Sequence, residues 1–324
     1  IAKYGRELFE AAEANGVDLM FEASVGGGIP IIRPLKQCLA ANRITQVLGI
    51  VNGTTNYMLT KMTDEHMNFD DVLAEAQAKG YAEANPAADV GGLDAARKIA
   101  ILASIAFNSR VTLDDVYVEG ITHISPEDIE YARELGYAVK LLAIAKDSEM
   151  GIDVRVHPAF IPHTHPLASV SDVFNAIFVK GDAVGDTMFY GRGAGALPTA
   201  SAVAGDVIDI SRNILLNVNS RVLCTCYEEK PLCPVGKTES PYYIRLLVED
   251  KPGVFAAIAG AFGSQQVSLR SVIQKRKVDN DAEIVLITYR VSDEKLRMAM
   301  NTLEGMPFVT KVRSIIRVEA DDIA

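Results

Sequence analysis

A lysine and an aspartate lie four residues apart in a stretch made almost entirely of alanine, isoleucine and leucine. Residues 93–107 predict a helix that is apolar nearly all round and therefore buried. Asp94 and Lys98 share one face of that helix, because side chains at i and i+4 are neighbours. A buried lysine has to be paired with an acid or lose its charge, since an unpaired charge is costly in the interior.

Three carboxylates are available for such a pairing. Asp94 is on the helix itself, and Glu83 and Asp89 lie in the loop just before it, which is broken by proline and glycine. An ammonium group held among acids stays protonated and can give up a proton on demand, which is the property of a general acid/base. The residue types alone also allow a structural ion pair at the start of the helix, because structural ion-pair networks perturb pKa values as well.

Two glycine-rich stretches each precede a predicted helix. Residues 22–30 (Glu-Ala-Ser-Val-Gly-Gly-Gly-Ile-Pro) follow a short predicted strand at residues 17–21 and lead into a helix that ends near residue 41. Residues 191–199 open an alanine-rich helix that ends near residue 210. Backbone N–H groups at such turns can approach a ligand closely. A tight turn at the first stretch and a hinge at the second remain open, since neither has the G-x-G-x-x-G spacing of a first Rossmann turn.

The remaining pattern predicts the elements that position these residues. A strand at residues 44–51 ends in a polar turn, residues 52–56, and further helices and strands follow at residues 69–79, 116–121, 126–135, 138–146, 152–160, 175–181 and 187–190. Residues 228–241 contain three prolines and predict a linker. Beyond the linker, residues 242–317 alternate as βαββαβ, the pattern of a ferredoxin-like module.

Composition excludes several classes of protein. The 324 residues are 49% hydrophobic with a net charge of −10, which argues against nucleic acid or an anionic membrane surface as the main partner. No apolar run is long enough to span a bilayer. The four cysteines are too few for a disulfide scaffold, which favours a reducing cytoplasm, and their spacing favours incidental thiols over a zinc site. We therefore expect a cytoplasmic α/β and α+β protein.

Four segments of the chain resemble homoserine dehydrogenase in sequence and in order. They are residues 22–32 (EASVGGGIPII), 49–59 (GIVNGTTNYML), 80–98 (GYAE through DAARK) and 190–199 (YGRGAGALPT). The C-terminal module is similar to an ACT domain, with Asp250-Lys-Pro-Gly253 as the loop into its first helix. The best match is the monofunctional bacterial form that carries an ACT domain.

The resemblance implies an NAD(P)-dependent interconversion of L-aspartate 4-semialdehyde and L-homoserine, a step in threonine and methionine biosynthesis. It assigns Lys98 as the general acid/base and places Asp94 beside substrate or a water at the reacting oxygen. It assigns Glu83 to the substrate amino group and Asp89 to the polar wall of the site. Asn85 departs from the family, which usually has aspartate there.

The resemblance also implies binding of small ligands elsewhere. A monovalent cation, with sodium the first candidate, matches the Glu22 carboxylate and carbonyl groups of Val25, Gly27 and Ile29. Gly193 and Gly195 match a loop that contacts the NAD(P)H cofactor. The ACT-like module implies an amino-acid effector, threonine first, near Asp250 and Gly253, and family members are homodimers or tetramers.

The resemblance predicts how the chain divides into domains. Residues 1–30 match the end of a Rossmann-like dinucleotide-binding domain, with helix 196–213 packing back on it. Residues 31–195 match an α+β substrate-binding and dimerisation domain with a mixed sheet, and residues 242–319 match the ACT domain. Roughly a hundred further residues of the dinucleotide-binding domain are expected before residue 1, so this chain alone is expected to bind cofactor poorly. The alternative function is an inactive amino-acid-sensing module on a dimerisation scaffold.

Overall fold

The computed structural model describes residues 1–219, 221, 224–278 and 281–319. These residues form two compact units. Unit 1 consists of Ile1–Thr122, Lys140–His157 and Thr164–Cys233, and unit 2 consists of His123–Val139, Pro158–His163 and the chain from Pro234 onward.

The elements follow one another in a mixed order of helix and strand. The helices are α1 (Gly5–Ala14), α2 (Gly53–Asp64), α3 (Phe69–Ala78), α4 (Ala87–Val90), α5 (Leu93–Ala106), α6 (Pro126–Glu134), α7 (Ala196–Leu215), α8 (Val254–Ser264) and α9 (Asp293–Glu304). The strands are β1 (Ile44–Ile50), β2 (Tyr117–Val118), β3 (Tyr137–Ser148), β4 (Gly151–Pro162), β5 (Phe174–Gly181), β6 (Gly185–Arg192), β7 (Glu239–Ser240), β8 (Tyr242–Glu249), β9 (Leu269–Val278), β10 (Asp281–Thr288), β11 (Val291–Ser292) and β12 (Val309–Val318).

The sheet of unit 1 has the strand order β6-β5-β1-β3, and each of these neighbouring pairs is antiparallel. The central strand β1 lies between β5 and β3 and is buried along almost its whole length, with Gln46 as a buried polar residue. The outer strand β6 alternates between half-buried and exposed residues, as expected of a strand with one solvated face. The short strand β2 pairs with β4 in parallel.

The helix α5 lies inside unit 1, as its composition predicts. Ile99, Ala100 and Leu102 are completely buried, and Ile101 and Ile105 are at most 8% exposed. Gly92 precedes the helix with a φ of +85°, a left-handed conformation that glycine adopts at little cost. The acidic and basic pair therefore lies at the first turns of a helix that cannot shift toward solvent without exposing its apolar body.

Unit 2 contains the predicted βαββαβ module. Its strands follow the order β12-β8-β10-β9, all antiparallel, and α8 and α9 pack on one face of that sheet. The core between the helices and the sheet is mostly aliphatic, with Tyr242 and Phe262 as its buried aromatic rings. The predicted linker overlaps unit 2, because β7 pairs with β11.

Two predicted elements near the glycine-rich stretch differ from the structure. Residues 17–21 are not a strand: they join no sheet among the described residues, and Val17 is 53% exposed. Hydrophobic content alone does not make a strand, because a strand also needs a neighbour to satisfy its backbone hydrogen bonds. The helix expected to reach residue 41 is shorter and ends in a π-helical turn, Pro34–Cys38.

Two further local predictions are wrong. The polar turn expected at residues 52–56 is the first turn of α2, with Asn52 as its N-cap. Asparagine followed by glycine is typical of a turn, yet asparagine is also among the strongest N-cap residues. The strand expected at residues 116–121 is limited to β2, because only Tyr117 and Val118 pair with β4.

Several classes of feature are missing from the part of the chain that the structure describes. None of the helices there is long and apolar enough to cross a membrane. The four cysteines are free thiols. No group of three or more His, Cys, Asp or Glu side chains is arranged to hold a metal ion within the described residues.

Candidate active site

Lys98 makes two short polar contacts at the start of α5. Its Nζ donates to Asp94 Oδ2 at 2.7 Å and to the backbone oxygen of Val51 at 2.7 Å. The side chains of Lys98 and Asp94 are 19% and 30% exposed, so the pair is neither in open water nor sealed in the core. An ammonium group held by one carboxylate and one carbonyl has a third N–H left for a ligand.

Asn52 joins the two aspartates. Its Nδ2 donates to Asp89 Oδ1 at 2.8 Å and to Asp94 Oδ2 at 2.9 Å, and its Oδ1 accepts from the backbone N–H of Thr55 at 2.9 Å. The same side chain therefore caps α2 and ties the end of β1 to α4 and α5. This ties Asp89 to the lysine indirectly and sets the orientation of Asp94.

Glu83 is placed differently from the two aspartates. Its side chain is exposed, and its carboxylate makes no hydrogen bond or ion pair with any described residue, Lys98 included. The backbone oxygen of Glu83 accepts from Gln77 Nε2 at 3.1 Å, which anchors the loop after α3. The structure thus brings Asp94 and Asp89 to the lysine cluster and leaves the Glu83 carboxylate uncommitted.

The two glycine-rich stretches pack against each other. A Cβ atom built on Gly27 would lie 2.4 Å from the Gly193 oxygen, and one on Gly28 would lie 2.7 Å from Pro198 Cβ. The Gly28 N–H donates to the Arg192 oxygen at 3.2 Å. The first stretch needs glycine at residues 27 and 28 because a side chain there would clash with the second stretch, a reason that its own sequence does not reveal.

The Glu22 carboxylate is buried beneath this turn. It accepts from the backbone N–H groups of Ile31, Ile32 and Arg33 at 2.6–2.9 Å and from Arg33 Nε at 3.2 Å. The backbone N–H of Glu22 donates to Asp206 on α7 at 2.9 Å. The carboxylate thus caps the helical segment that follows, and its lone pairs are already taken by four donors.

Backbone carbonyl oxygens around Glu22 are more available than its carboxylate for binding a cation. Val25, Gly27 and Ile29 are buried, and their carbonyl oxygens accept no hydrogen bond within the described residues. Buried carbonyls without a partner are uncommon. Three such oxygens on one tight turn are hard donors of the type that alkali and alkaline-earth cations prefer.

The predicted effector loop of unit 2 precedes α8. Gly253 is the N-cap of that helix, with a φ of +92° and no heavy atom within 4 Å of an added Cβ. Asp250 is paired with Lys277 of β9, and this ion pair lowers the pKa of Asp250 below its usual value. The loop is therefore open around Gly253 and held in place at Asp250.

Family models match both parts of the chain. The model described as homoserine dehydrogenase matches residues 30–208, and the model described as ACT domain matches residues 242–307. A homoserine dehydrogenase of Synechocystis sp. is 49% identical over 98% of this chain and 76% of its own length. The chain belongs to the homoserine dehydrogenase family. The matched region contains Asp94, Lys98 and Asn52.

Solved structures of homoserine dehydrogenases have the same fold. The enzyme of Thiobacillus denitrificans is 42% identical with a TM-score of 0.93, over 98% of this chain and 74% of that chain. A hyperthermophilic archaeal homoserine dehydrogenase solved in complex with NADPH is 29% identical with a TM-score of 0.57, over 66% and 61% of the two chains. The match to the Thiobacillus denitrificans enzyme extends over nearly the whole described fold, whereas the archaeal match extends over two thirds of this chain.

Asn52 is the site residue that reasoning from the sequence missed. The polar run after β1 was visible, but nothing in its spacing indicates that one amide contacts two aspartates from a different part of the chain. A buried strand that ends in several side-chain donors is the signal that points to it. The contact itself depends on how β1, α4 and α5 meet.

Proposed function

We propose that this protein interconverts L-aspartate 4-semialdehyde and L-homoserine with NAD(P)H, and that Lys98 is the general acid/base. The observation that supports this most directly is the Lys98 ammonium at 2.7 Å from Asp94, partly accessible at the start of a buried helix. When bound, the nicotinamide cofactor supplies or takes up the hydride at the carbonyl carbon. The residues of this chain transfer the proton to and from the substrate oxygen.

The proton moves between Lys98 Nζ and the substrate oxygen. In the reducing direction Lys98 donates to the oxygen as it becomes an alkoxide, and in the oxidising direction it takes the proton back. Asp94 orients the amine through its hydrogen bond, and Asn52 holds Asp94 in place through Nδ2. General acid/base catalysis of this kind contributes a factor of about 10²–10⁴ in rate.

The substrate ammonium group binds to Glu83, with Asp89 completing the polar wall. Glu83 suits this role because its carboxylate is uncommitted in the described structure and so retains its full capacity to accept hydrogen bonds. Asp89 is fixed by Asn52 and contributes negative charge without moving. Both carboxylates attract a positively charged substrate ammonium group.

The cofactor contacts Gly193 and Gly195 on the loop before α7. The close packing of Gly193 on Gly27 holds this loop rigidly, and the related archaeal enzyme was solved with NADPH. A monovalent cation, sodium first, binds to the carbonyl oxygens of Val25, Gly27 and Ile29, with Glu22 shaping the turn. The residues fit such an ion because those three carbonyls are buried and without described partners.

Unit 2 regulates the enzyme by binding threonine at the loop that contains Asp250 and Gly253. Gly253 provides no side-chain cap to α8, so the N–H groups that follow Val254, whose own N–H donates to the Lys251 oxygen at 3.4 Å, are open to a carboxylate. The chain assembles as a homodimer or tetramer through the unit 1 sheet, whose edge strand β6 exposes Met188 and Tyr190. We keep the division of the chain into residues 1–30, 31–195 and 242–319 as part of this proposal.

The test is the substitution Lys98→Met with Arg97→Met as its matched control. Arg97 is the exposed neighbour on the same helix, so its loss changes charge without touching the site. We expect kcat for homoserine oxidation to fall at least a hundredfold for Lys98→Met and less than twofold for Arg97→Met. A loss below tenfold for Lys98→Met contradicts the proposal and favours the inactive amino-acid sensor.

A further inference from the structure

Asn175 is a buried amide whose oxygen has no partner. It lies on β5, is 1% exposed, and its Oδ1 makes no hydrogen bond with the described residues. Buried polar atoms in folded proteins are nearly always hydrogen-bonded to protein, water or a ligand. An unsatisfied buried acceptor is destabilising, so this position needs a donor that the described residues do not supply.

The amide lies between two glycines that belong to different parts of the site. A Cβ atom built on Gly193 would lie 2.0 Å from Asn175 Nδ2, so the amide occupies the space that any side chain at Gly193 would need. On the other side, a Cβ built on Gly53 would lie 3.6 Å from Asn175 Oδ1. The backbone register supports this position, because Asn175 pairs with Gly191 on β6.

These two glycines place Asn175 near the residues for proton transfer and near the loop assigned to the cofactor. Gly53 directly follows Asn52, whose amide holds Asp94 beside Lys98. Gly193 belongs to the loop that we assign to the cofactor. Asn175 is therefore a side chain between the proton-transferring cluster and the loop that carries the hydride donor.

We infer that the Asn175 amide binds the carboxamide of the nicotinamide ring, an inference that rests on the proposed function. A primary amide is complementary to another: Oδ1 accepts an N–H from the carboxamide, and Nδ2 donates to the carboxamide oxygen. A half-turn of the amide about χ2 exchanges its donor and acceptor, so both orientations of the ring amide are served. This pairing sets the rotation of the ring and hence which of its faces is turned toward Lys98.

The experiment is a cycle that removes the contact from either side. One change is Asn175→Ala, and the other replaces the oxidised cofactor by its 3-acetylpyridine analogue, in which a methyl ketone removes the N–H of the carboxamide. The readouts are the Kd of the cofactor, measured by calorimetric titration without homoserine, and kcat/KM for the cofactor in homoserine oxidation. We expect Asn175→Ala to lower kcat/KM about tenfold with the natural cofactor and threefold or less with the analogue, because the hydrogen bond from the carboxamide N–H to Oδ1 is already missing there.

Two further variants separate binding from structure. Gln46→Ala removes another buried amide, from β1 of the same sheet, and should change kcat/KM by the same factor with both cofactors. Asn175→Asp keeps the shape but cannot donate, so it should lose affinity for both cofactors while keeping the KM for homoserine within twofold. It also provides a folded variant if Asn175→Ala is unstable.

Three outcomes overturn the inference. Equal losses with both cofactors make Asn175 a packing residue. A loss that is restored by raising the sodium concentration assigns Oδ1 to the cation. A rise in the KM for homoserine alone assigns it to the substrate. If the unmodified protein oxidises homoserine with neither cofactor, the proposed function is contradicted. If it is active with both cofactors and Asn175→Ala lowers kcat/KM equally with both, only this inference is contradicted.

Discussion

Asn52 concentrates three roles in one side chain. It caps α2, and it donates to both Asp89 and Asp94. Asn52→Asp keeps the cap but places a third carboxylate against the other two. We expect kcat/KM to fall about a hundredfold, because Asp94 is repelled from its position beside Lys98, while the free energy of unfolding falls by less.

The control for this prediction is Asn68, which occupies the N-cap position of α3 without a side-chain capping bond. Asn68→Asp should leave both kcat/KM and stability close to wild type, and Asn52→Ala should cost about 1–2 kcal/mol of stability as a lost cap. Steady-state kinetics and urea unfolding measure the two effects. Wild-type activity in Asn52→Asp would show that Asp94 needs no such support.

Lys140 gives unit 1 a pH dependence of its own. It is 6% exposed on β3, where its Nζ donates to the Val170 oxygen at 2.5 Å, and burial lowers its pKa to about 8 from an ordinary 10.5. Between those two values the unfolded chain binds a proton that the folded protein has lost. The free energy of unfolding therefore rises with pH from about 8 to 10.5, by about 3 kcal/mol in total.

The substitution Lys140→Met should abolish that rise. Urea unfolding at pH 7 and pH 10 measures it as a difference between wild type and variant, which cancels the titration of the other groups. Lys180→Met, at a half-buried lysine on β5, should retain the wild-type rise. An identical pH dependence in wild type and Lys140→Met would contradict the burial of this ammonium group.

At the scale of elements, α6 is joined to the sheet of unit 2 by a buried charge network. Asp128 is completely buried and accepts from Arg245 Nε at 2.9 Å, Tyr243 OH at 3.1 Å and Ser314 Oγ at 2.7 Å. Arg245 also donates to Glu283 at 3.0 Å. The helix is therefore positioned by polar contacts, and removal of the Asp128 carboxylate leaves Arg245 without its closest acidic partner.

Asp128→Ala should cost about 3–5 kcal/mol of stability, the range for breaking a buried ion pair from one side. The matched control is Asp115→Ala. Asp115 is the N3 residue of the capping box at Thr112, as Asp128 is of the capping box at Ser125, but it forms no ion pair with a described residue. Its loss should cost only about 1 kcal/mol, the value of a cap. Equal costs measured by urea unfolding would mean that the network adds nothing beyond capping.

At the scale of the whole molecule, the proposed regulation requires unit 2 to respond to an amino acid. Gly253→Ala places a side chain at a φ of +92°, which strains the loop that precedes α8. We expect the threonine concentration that halves homoserine oxidation to rise at least tenfold. The control is Gly260→Ala, inside α8, where an added Cβ meets no atom within 4 Å and helix propensity improves.

Activity measured with and without threonine is the readout for these two glycine variants. An unchanged threonine response in Gly253→Ala would place the effector elsewhere. No response in the unmodified protein would leave unit 2 without this ligand. Calorimetric titration of threonine separates these outcomes, because binding without inhibition is detected directly.

The sequence by itself determined features that depend on local periodicity and spacing. It predicted the buried α5 with Asp94 and Lys98 on one face, the strand pair β3 and β4, and the βαββαβ order of unit 2, and the structure confirms each of them. These succeed because side chains four apart on a helix, or two apart on a strand, are neighbours whatever the rest of the fold does.

Only the tertiary structure decided which distant segments touch. It brought Asn52 to Asp89 and Asp94, packed Gly27 on Gly193, and left the Asn175 oxygen without a partner between them. It also turned the expected polar turn at residues 52–56 into the start of α2. The physical reason is that such contacts depend on how separate elements pack, and local residue patterns carry no information about a partner in a distant part of the chain.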